Sequence, residues 1–136
     1  MILGIGQDVC DATRIRSTIN RFGARFTHRI YTQNERNKCE ARRNKVDCYA
    51  RRFAAKEACS KALGVGFRKG VFFKDIEVVN ISTGKPTLKL SGGALLRLQS
   101  LCPSGLNPSV ELSITDDRRL AFAIVIVSGI EKSFSK

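Results

Sequence analysis

Apolar residues recur along this chain with two periods, and the changes between them mark out its elements. Residues 2–6 (Ile-Leu-Gly-Ile-Gly) predict a short buried strand whose glycines let another backbone approach. Asp11 is suited to cap a helix carrying Ile15, Ile19 and Phe22 at i, i+4 and i+7. Thr32-Gln-Asn-Glu35 is a capping box that opens a second helix through about Lys45, polar enough to face water over much of its length. Asp47 is placed to cap a third helix, which carries Tyr49, Phe53 and the segment up to Gly64. The period then shortens to two. Phe72 to Ile81 predicts a strand with Ile76 and Val78 on one face, Ser82 to Pro86 a turn, and Thr87 to Leu90 its partner. Gly92-Gly93 opens a short helix over Ala94 to Leu101, and Pro103 to Pro108 is a loop. Val110 to Thr115 and Leu120 to Ser128 form a last hairpin about Asp116 to Arg119. The unbroken apolar run 121–127 predicts a strand buried on both faces, and 129–136 a frayed polar tail. This order predicts an α+β fold: a strand, three helices, then antiparallel strands with one further short helix.

The stretch Arg52-Phe-Ala-Ala-Lys-Glu-Ala-Cys-Ser-Lys-Ala-Leu-Gly-Val-Gly66 carries the candidate chemistry. At about 100° per residue, Ala55, Ala58, Cys59, Ala62 and Leu63 form a core-facing stripe. Phe53, Glu57, Ser60, Lys61 and Gly64 fall opposite, so a carboxylate, a hydroxyl and an ammonium lie within two turns. Glu57 and Lys61 could be a solvated i,i+4 pair worth about 0.2–0.5 kcal/mol, or part of a reactive face. Gly64 and Gly66 suit a helix C-cap or the close approach of a ligand. Asp8, just past the first strand, is either a turn aspartate or a carboxylate projecting into a cleft. Arg14 and Arg21 share one helix flank and Arg25 follows beyond Gly23, a strip suited to water or to carboxylates on a partner helix. Gly64 to Gly70 is neither a Walker A sequence nor Gly-x-Gly-x-x-Gly, and it follows a helix instead of opening one.

Length and composition narrow the class. A chain of 136 residues is read as a single domain, residues 1–136, and 43% hydrophobic with 26% charged residues is ordinary for a soluble protein. No apolar run approaches the roughly 18 residues of a membrane helix, and no signal peptide opens the chain, so a cytoplasmic, non-membrane protein is expected. Five cysteines, without a Cys-x-x-Cys pair and with His28 the single histidine, argue against zinc and for free thiols in a reducing compartment. The net charge of +12 is uneven, with 17 of the 24 basic and 7 of the 12 acidic side chains in residues 1–75. Such a field draws nucleic acid, an anionic membrane surface or an acidic protein. A small basic nucleic-acid-binding domain is the rival class, but helix-turn-helix, zinc and RNA-recognition signatures are missing and only 7% of residues are aromatic. Convergence of Asp8 and Glu57 in space would separate the two classes, because a nucleic-acid module has no use for paired carboxylates under a basic surface.

Five segments in register resemble the 4′-phosphopantetheinyl transferases, and most closely the small bacterial carrier-protein synthases of that family. They are Gly4-Ile-Gly-Gln-Asp8, the Arg52–Gly66 segment, Phe73-Lys-Asp-Ile-Glu-Val78, Gly84-Lys-Pro86 and Ser113-Ile-Thr-Asp-Asp117. The resemblance implies transfer of 4′-phosphopantetheine from coenzyme A to a serine of an acidic apo-acyl carrier protein, in support of fatty acid biosynthesis. It implies Mg²⁺ held by Asp8 and Glu57, with the serine proton taken by Glu57 or by a metal-bound water. It assigns Lys61 to the pyrophosphate, and Arg52, Ser60, Lys61, Gly64, Gly66, Lys85 and Pro86 to coenzyme A. Arg14, Arg21 and Arg25 become the carrier dock. It also implies a homotrimer with sites between protomers and the 121–127 strand near its axis. Asp116 stands where many relatives carry histidine, so no histidine serves there, and His28 is expected to be a surface or a satisfied structural histidine.

Overall fold

Two glycines let a strand lie directly on a helix, and the remaining elements pack around that crossing. Strand β1 (Ile2–Asp11) meets helix α4 (Lys45–Ala62) so closely that a Cβ on Gly4 would lie 2.0 Å from the Ala62 carbonyl oxygen, and one on Gly6 1.9 Å from that of Ala58. Two strand residues advance about 6.6 Å and four helix residues about 6 Å, so the step from Gly4 to Gly6 matches the step from Ala62 back to Ala58. Strand alternation then turns Asp8 toward the same helix. The computed structural model describes residues 1–132.

Between β1 and α4 run α1 (Ala12–Phe22), α2 (Ala24–Ile30) and α3 (Gln33–Glu40). Four helices, rather than three, therefore precede the later strands. Gly23, at φ +57°, ends α1, and the chain restarts as a separate helix. The Thr32–Glu35 capping box is present, but α3 stops at Glu40 instead of reaching Lys45. Asn44, not Asp47, occupies the N-cap of α4; Asp47 lies in the first turn, where its charge complements the helix dipole.

A single 3₁₀ turn (Phe73–Asp75) leads from α4 into β2 (Ile76–Asn80), which pairs antiparallel with β3 (Pro86–Leu90). Ile76 and Val78 are both buried, as their alternation predicts. Helix α5 (Gly92–Leu101) and the long hairpin β4 (Leu106–Asp117) and β5 (Leu120–Glu131) complete the described chain. The main sheet is antiparallel in the order β1-β5-β4. β1 continues to Asp11, so Asp8 sits mid-strand opposite Ala123 and not beyond a strand end. β4 begins inside the expected 103–108 loop. β5 runs through residues 129–131, with the Gly129 N–H donating to the Met1 carbonyl at 2.8 Å, so these residues are strand and not tail. Lys132 follows outside any element, and residues 133–136 of the expected tail lie outside the described residues.

The apolar run of β5 is buried on one face only. Ala121, Ala123, Val125 and Val127 pack inward, whereas Phe122 and Ile124 remain 40% and 38% exposed. In the single chain, α4 covers one side of the sheet. Ile5 and Val9 of β1, 56% and 53% exposed, extend the open apolar face.

Two features of the interior lie outside the expectations. Lys56 is fully buried and pairs with Glu35 at 2.7 Å. Its ammonium also donates to the carbonyls of Phe73 and Ile76, while Glu35 accepts from the N–H groups of Thr32 and Val78. Cys39 and Cys48 are joined as a disulfide between the end of α3 and the first turn of α4, which corrects the expectation of five free thiols. Cys10, Cys59 and Cys102 are free.

Candidate active site

Asp8 projects from the middle of β1 onto the last two turns of α4. The Lys61 ammonium lies 2.9 Å from Asp8 Oδ1 and donates to the Gln7 carbonyl at 3.1 Å. Glu57, one helical turn before Lys61, opens with Asp8 onto a cavity of about 340 Å³ whose wall includes Arg14, Thr18, Phe26 and Phe53. Asp8 and Lys61 also border a second cavity of about 490 Å³, which runs over the outer sheet face past Ser113, Thr115 and Phe122. The two carboxylates thus converge, as a metal site requires and a nucleic-acid module does not.

The electrostatics are those of an incomplete charge cluster. Partial burial raises the Glu57 carboxyl above its ordinary 4.5; the Asp8 charge raises it further and Lys61 opposes both. The hydrogen bond to Asp8 raises the Lys61 ammonium above its ordinary 10.5. Among the described residues no three His, Cys, Asp or Glu side chains gather as a metal site. Two carboxylates alone fit Mg²⁺, which takes one or two from the protein and fills its octahedron with phosphate oxygens and water.

The other expected residues divide. Arg14 lines the smaller cavity, Arg21 lies over the Phe22 ring at 5.1 Å, and Arg25 borders a shallow groove with Phe22 and Phe26. Gly64 and Gly66 take φ +80° and +59° just past α4, and the Gly66 N–H donates to the Ser60 carbonyl at 3.1 Å. Lys85 pairs with Glu111 at 3.1 Å and Pro86 opens β3; neither lines the Asp8 cavities within this chain.

Ser60 and Arg52 require correction, because neither faces solvent. The Ser60 hydroxyl is buried and donates to the Glu57 carbonyl at 2.7 Å. Arg52, 5% exposed, donates through Nη1 to the Cys48 carbonyl and sulfur at 3.3 and 2.9 Å. The cause is shared: α4 is covered by β1 and β5 on one side and by α1, α3 and β2 on others, which leaves little free face besides Glu57 and Lys61. Asp116 is committed to an ion pair with Arg51 at 3.1 Å, and His28 is exposed. Sequence reasoning overlooked Lys56, although it lies seven residues before Leu63 and so within about 20° of it on the apolar stripe.

Residues 4–123 match the 4′-phosphopantetheinyl transferase superfamily. This chain belongs to that family. The holo-[acyl-carrier-protein] synthase of Azorhizobium caulinodans is 56% identical over 129 residues, 95% of either chain. That of Caulobacter vibrioides is 49% identical over 132 residues, 97% of this chain and 99% of its own. Among solved structures, the Neisseria meningitidis synthase aligns with TM-score 0.82 at 35% identity, covering 94% of this chain and 99% of that one. The Bacillus anthracis synthase, solved in complex with coenzyme A (3′,5′-ADP), aligns with TM-score 0.75 at 37% identity, covering 96% and 99%. The protein is therefore a phosphopantetheinyl transferase of the holo-[acyl-carrier-protein] synthase group, with that group's α+β fold.

Proposed function

We propose that this transferase moves the 4′-phosphopantetheine arm of coenzyme A onto a serine of an acidic apo-acyl carrier protein, releasing adenosine 3′,5′-bisphosphate. The observation that carries this reading is the convergence of Asp8 and Glu57, from β1 and α4, on one cavity with Lys61 at its edge. Asp8 and Glu57 would hold Mg²⁺, which when bound neutralises the coenzyme A pyrophosphate and improves the bisphosphate as a leaving group.

The serine oxygen bonds to the phosphorus bearing the pantetheine, and that phosphorus releases the bridging oxygen with the bisphosphate. Glu57, on the open face of α4 beside Asp8, takes the serine proton. Lys61 exchanges its Asp8 contact for the pyrophosphate oxygens and balances charge as the bond breaks. The positive φ angles of Gly64 and Gly66 bring bare backbone to the nucleotide end, joined by Lys85 and Pro86.

Arg14, Arg21 and Arg25 dock the acidic carrier, so its encounter weakens as salt rises. The open apolar face of Ile5, Val9, Phe122 and Ile124, beside Asp8, supports a homotrimer with sites between protomers, in which a neighbour supplies the missing wall. The bacterial synthases among the relatives support a cytoplasmic role in fatty acid biosynthesis. Among the described residues no helix is long and apolar enough to cross a membrane.

Intact-mass spectrometry of apo-acyl carrier protein incubated with the transferase, coenzyme A and Mg²⁺ tests this function. A phosphopantetheine increment that chelator abolishes is expected. A folded carrier that gains no mass overturns it.

A further inference from the structure

The buried Arg52 guanidinium is poorly partnered with the disulfide in place. Its Nη1 donates to Cys48 through the carbonyl and Sγ, and its Nε is buried without an acceptor. The carboxylate that acts on it, Glu35, is already committed to Lys56 and to two backbone N–H groups. The other ionisable groups acting around it are Lys38 of α3, Arg42 of the following turn, Arg51 and Lys56 of α4, and the neutral phenols Tyr31 and Tyr49. Positive charge is in surplus, and a sulfur stands 2.9 Å from the guanidinium. A thiolate on Cys48 would supply the counter-charge that a disulfide sulfur lacks.

We propose that Cys39 and Cys48 form a reversible redox site, in which Arg52 holds the reduced Cys48 as a thiolate and a small peroxide is the oxidant. The Cys48 thiolate attacks hydrogen peroxide, giving a sulfenic acid and hydroxide. The Cys39 thiol then attacks the Cys48 sulfur, forming the S–S bond and releasing water. Overall, two thiols and one peroxide give one disulfide and two waters. A dithiol reverses the reaction through a mixed disulfide when local opening of the α3–α4 turn admits it, so reduction is slower than oxidation by the smaller peroxide. Both sulfurs are fully buried, which suits a small oxidant, and the Cα–Cα separation of 5.4 Å is already that of a bridged pair. The bridge ties α3 to the first turn of α4, the helix that carries Glu57 and Lys61.

The test follows disulfide formation in pre-reduced protein exposed to hydrogen peroxide, using N-ethylmaleimide quench and peptide mass spectrometry, from pH 6 to 9.5. A Cys39–Cys48 cross-link that dithiothreitol removes is expected, with the wild-type rate half-maximal below about pH 7.5. Arg52→Met should slow oxidation about tenfold at pH 7, with the gap closing near pH 9.5 where an ordinary thiol is ionised. Arg52→Lys, which keeps the charge, should stay near the wild-type rate. No cross-link, a wild-type rate half-maximal above about pH 8.5, or an Arg52→Met deficit that persists at pH 9.5 overturns the proposal. The wild-type profile decides the matter should Arg52→Met fail to fold.

Discussion

Replacing Gly6 with alanine tests whether the strand–helix contact sets the active site. The added Cβ would stand 1.9 Å from the Ala58 carbonyl oxygen and 2.6 Å from the Ala62 amide nitrogen. Both are backbone atoms, so no rotamer change relieves the clash. Restoring even a tight 3.0 Å separation moves β1 from α4 by more than 1 Å. Asp8 is two residues along that strand and Glu57 one residue before Ala58, so the opening falls on the pair that converges. A displacement of about 1 Å in reacting groups costs on the order of 100-fold in rate, and overpacking about 1–3 kcal/mol in stability. For a domain of this size that is a fall in Tm of about 4–12 °C. The assay pairs thermal unfolding with phosphopantetheine transfer, using Gly84→Ala as control. Gly84 has φ +87° but nothing within 4 Å of its Cβ, so that variant carries backbone strain alone. Gly6→Ala protein with wild-type Tm and transfer rate would refute the contact's role.

Two further outcomes follow from the ionisable groups. Lys56→Met leaves Glu35 buried without its cation and should cost about 3–5 kcal/mol in urea unfolding. The double variant Lys56→Met/Glu35→Gln should recover at least half, since glutamine still accepts a backbone hydrogen bond without burying a charge. A milder Lys56→Met effect, below about 1 kcal/mol, would show that the pair does not hold α3 to α4. Glu57 is raised in the folded protein, mainly by burial and further by Asp8. The native state therefore holds that proton more tightly than the unfolded state, and stability is lost as pH rises from about 4.5 through the folded value. Without metal, Glu57→Gln should match wild-type Tm near pH 4 and exceed it at pH 7; equal Tm at both would contradict the raised carboxyl.

The sequence carried the close backbone approach at Gly4 and Gly6 and the Glu57–Lys61 turn more clearly than the rest, but neither that α4 is the element approached nor that β1 runs on past Asp8. Gly4, Gly6 and Asp8 at alternate positions, and Glu57 and Lys61 one turn apart, obey the periods of their elements. Ser60 and Arg52 did not, because a helical wheel divides α4 into one covered and one open face, whereas β1, β5, α1, α3 and β2 all pack against it. Lys56 sat on the apolar stripe throughout; its partner Glu35 is legible only as a capping-box residue. The Cys39–Cys48 bridge depends on the turn between α3 and α4, which a single helix running through Lys45 conceals. Phe122 and Ile124 share the composition of buried residues, and their exposure reflects a sheet with a helix on one side only.

The central claim is that Asp8 and Glu57 act as one centre, and a double-mutant comparison tests it most directly. Single-turnover transfer to apo-carrier would be measured for wild type, Asp8→Asn, Glu57→Gln and the double variant at saturating Mg²⁺ and coenzyme A. One shared centre predicts that each single loss is large and that the double variant is hardly slower than the worse single. Losses that multiply would mean that the two carboxylates act independently, and a wild-type rate in Glu57→Gln would remove it from the reaction.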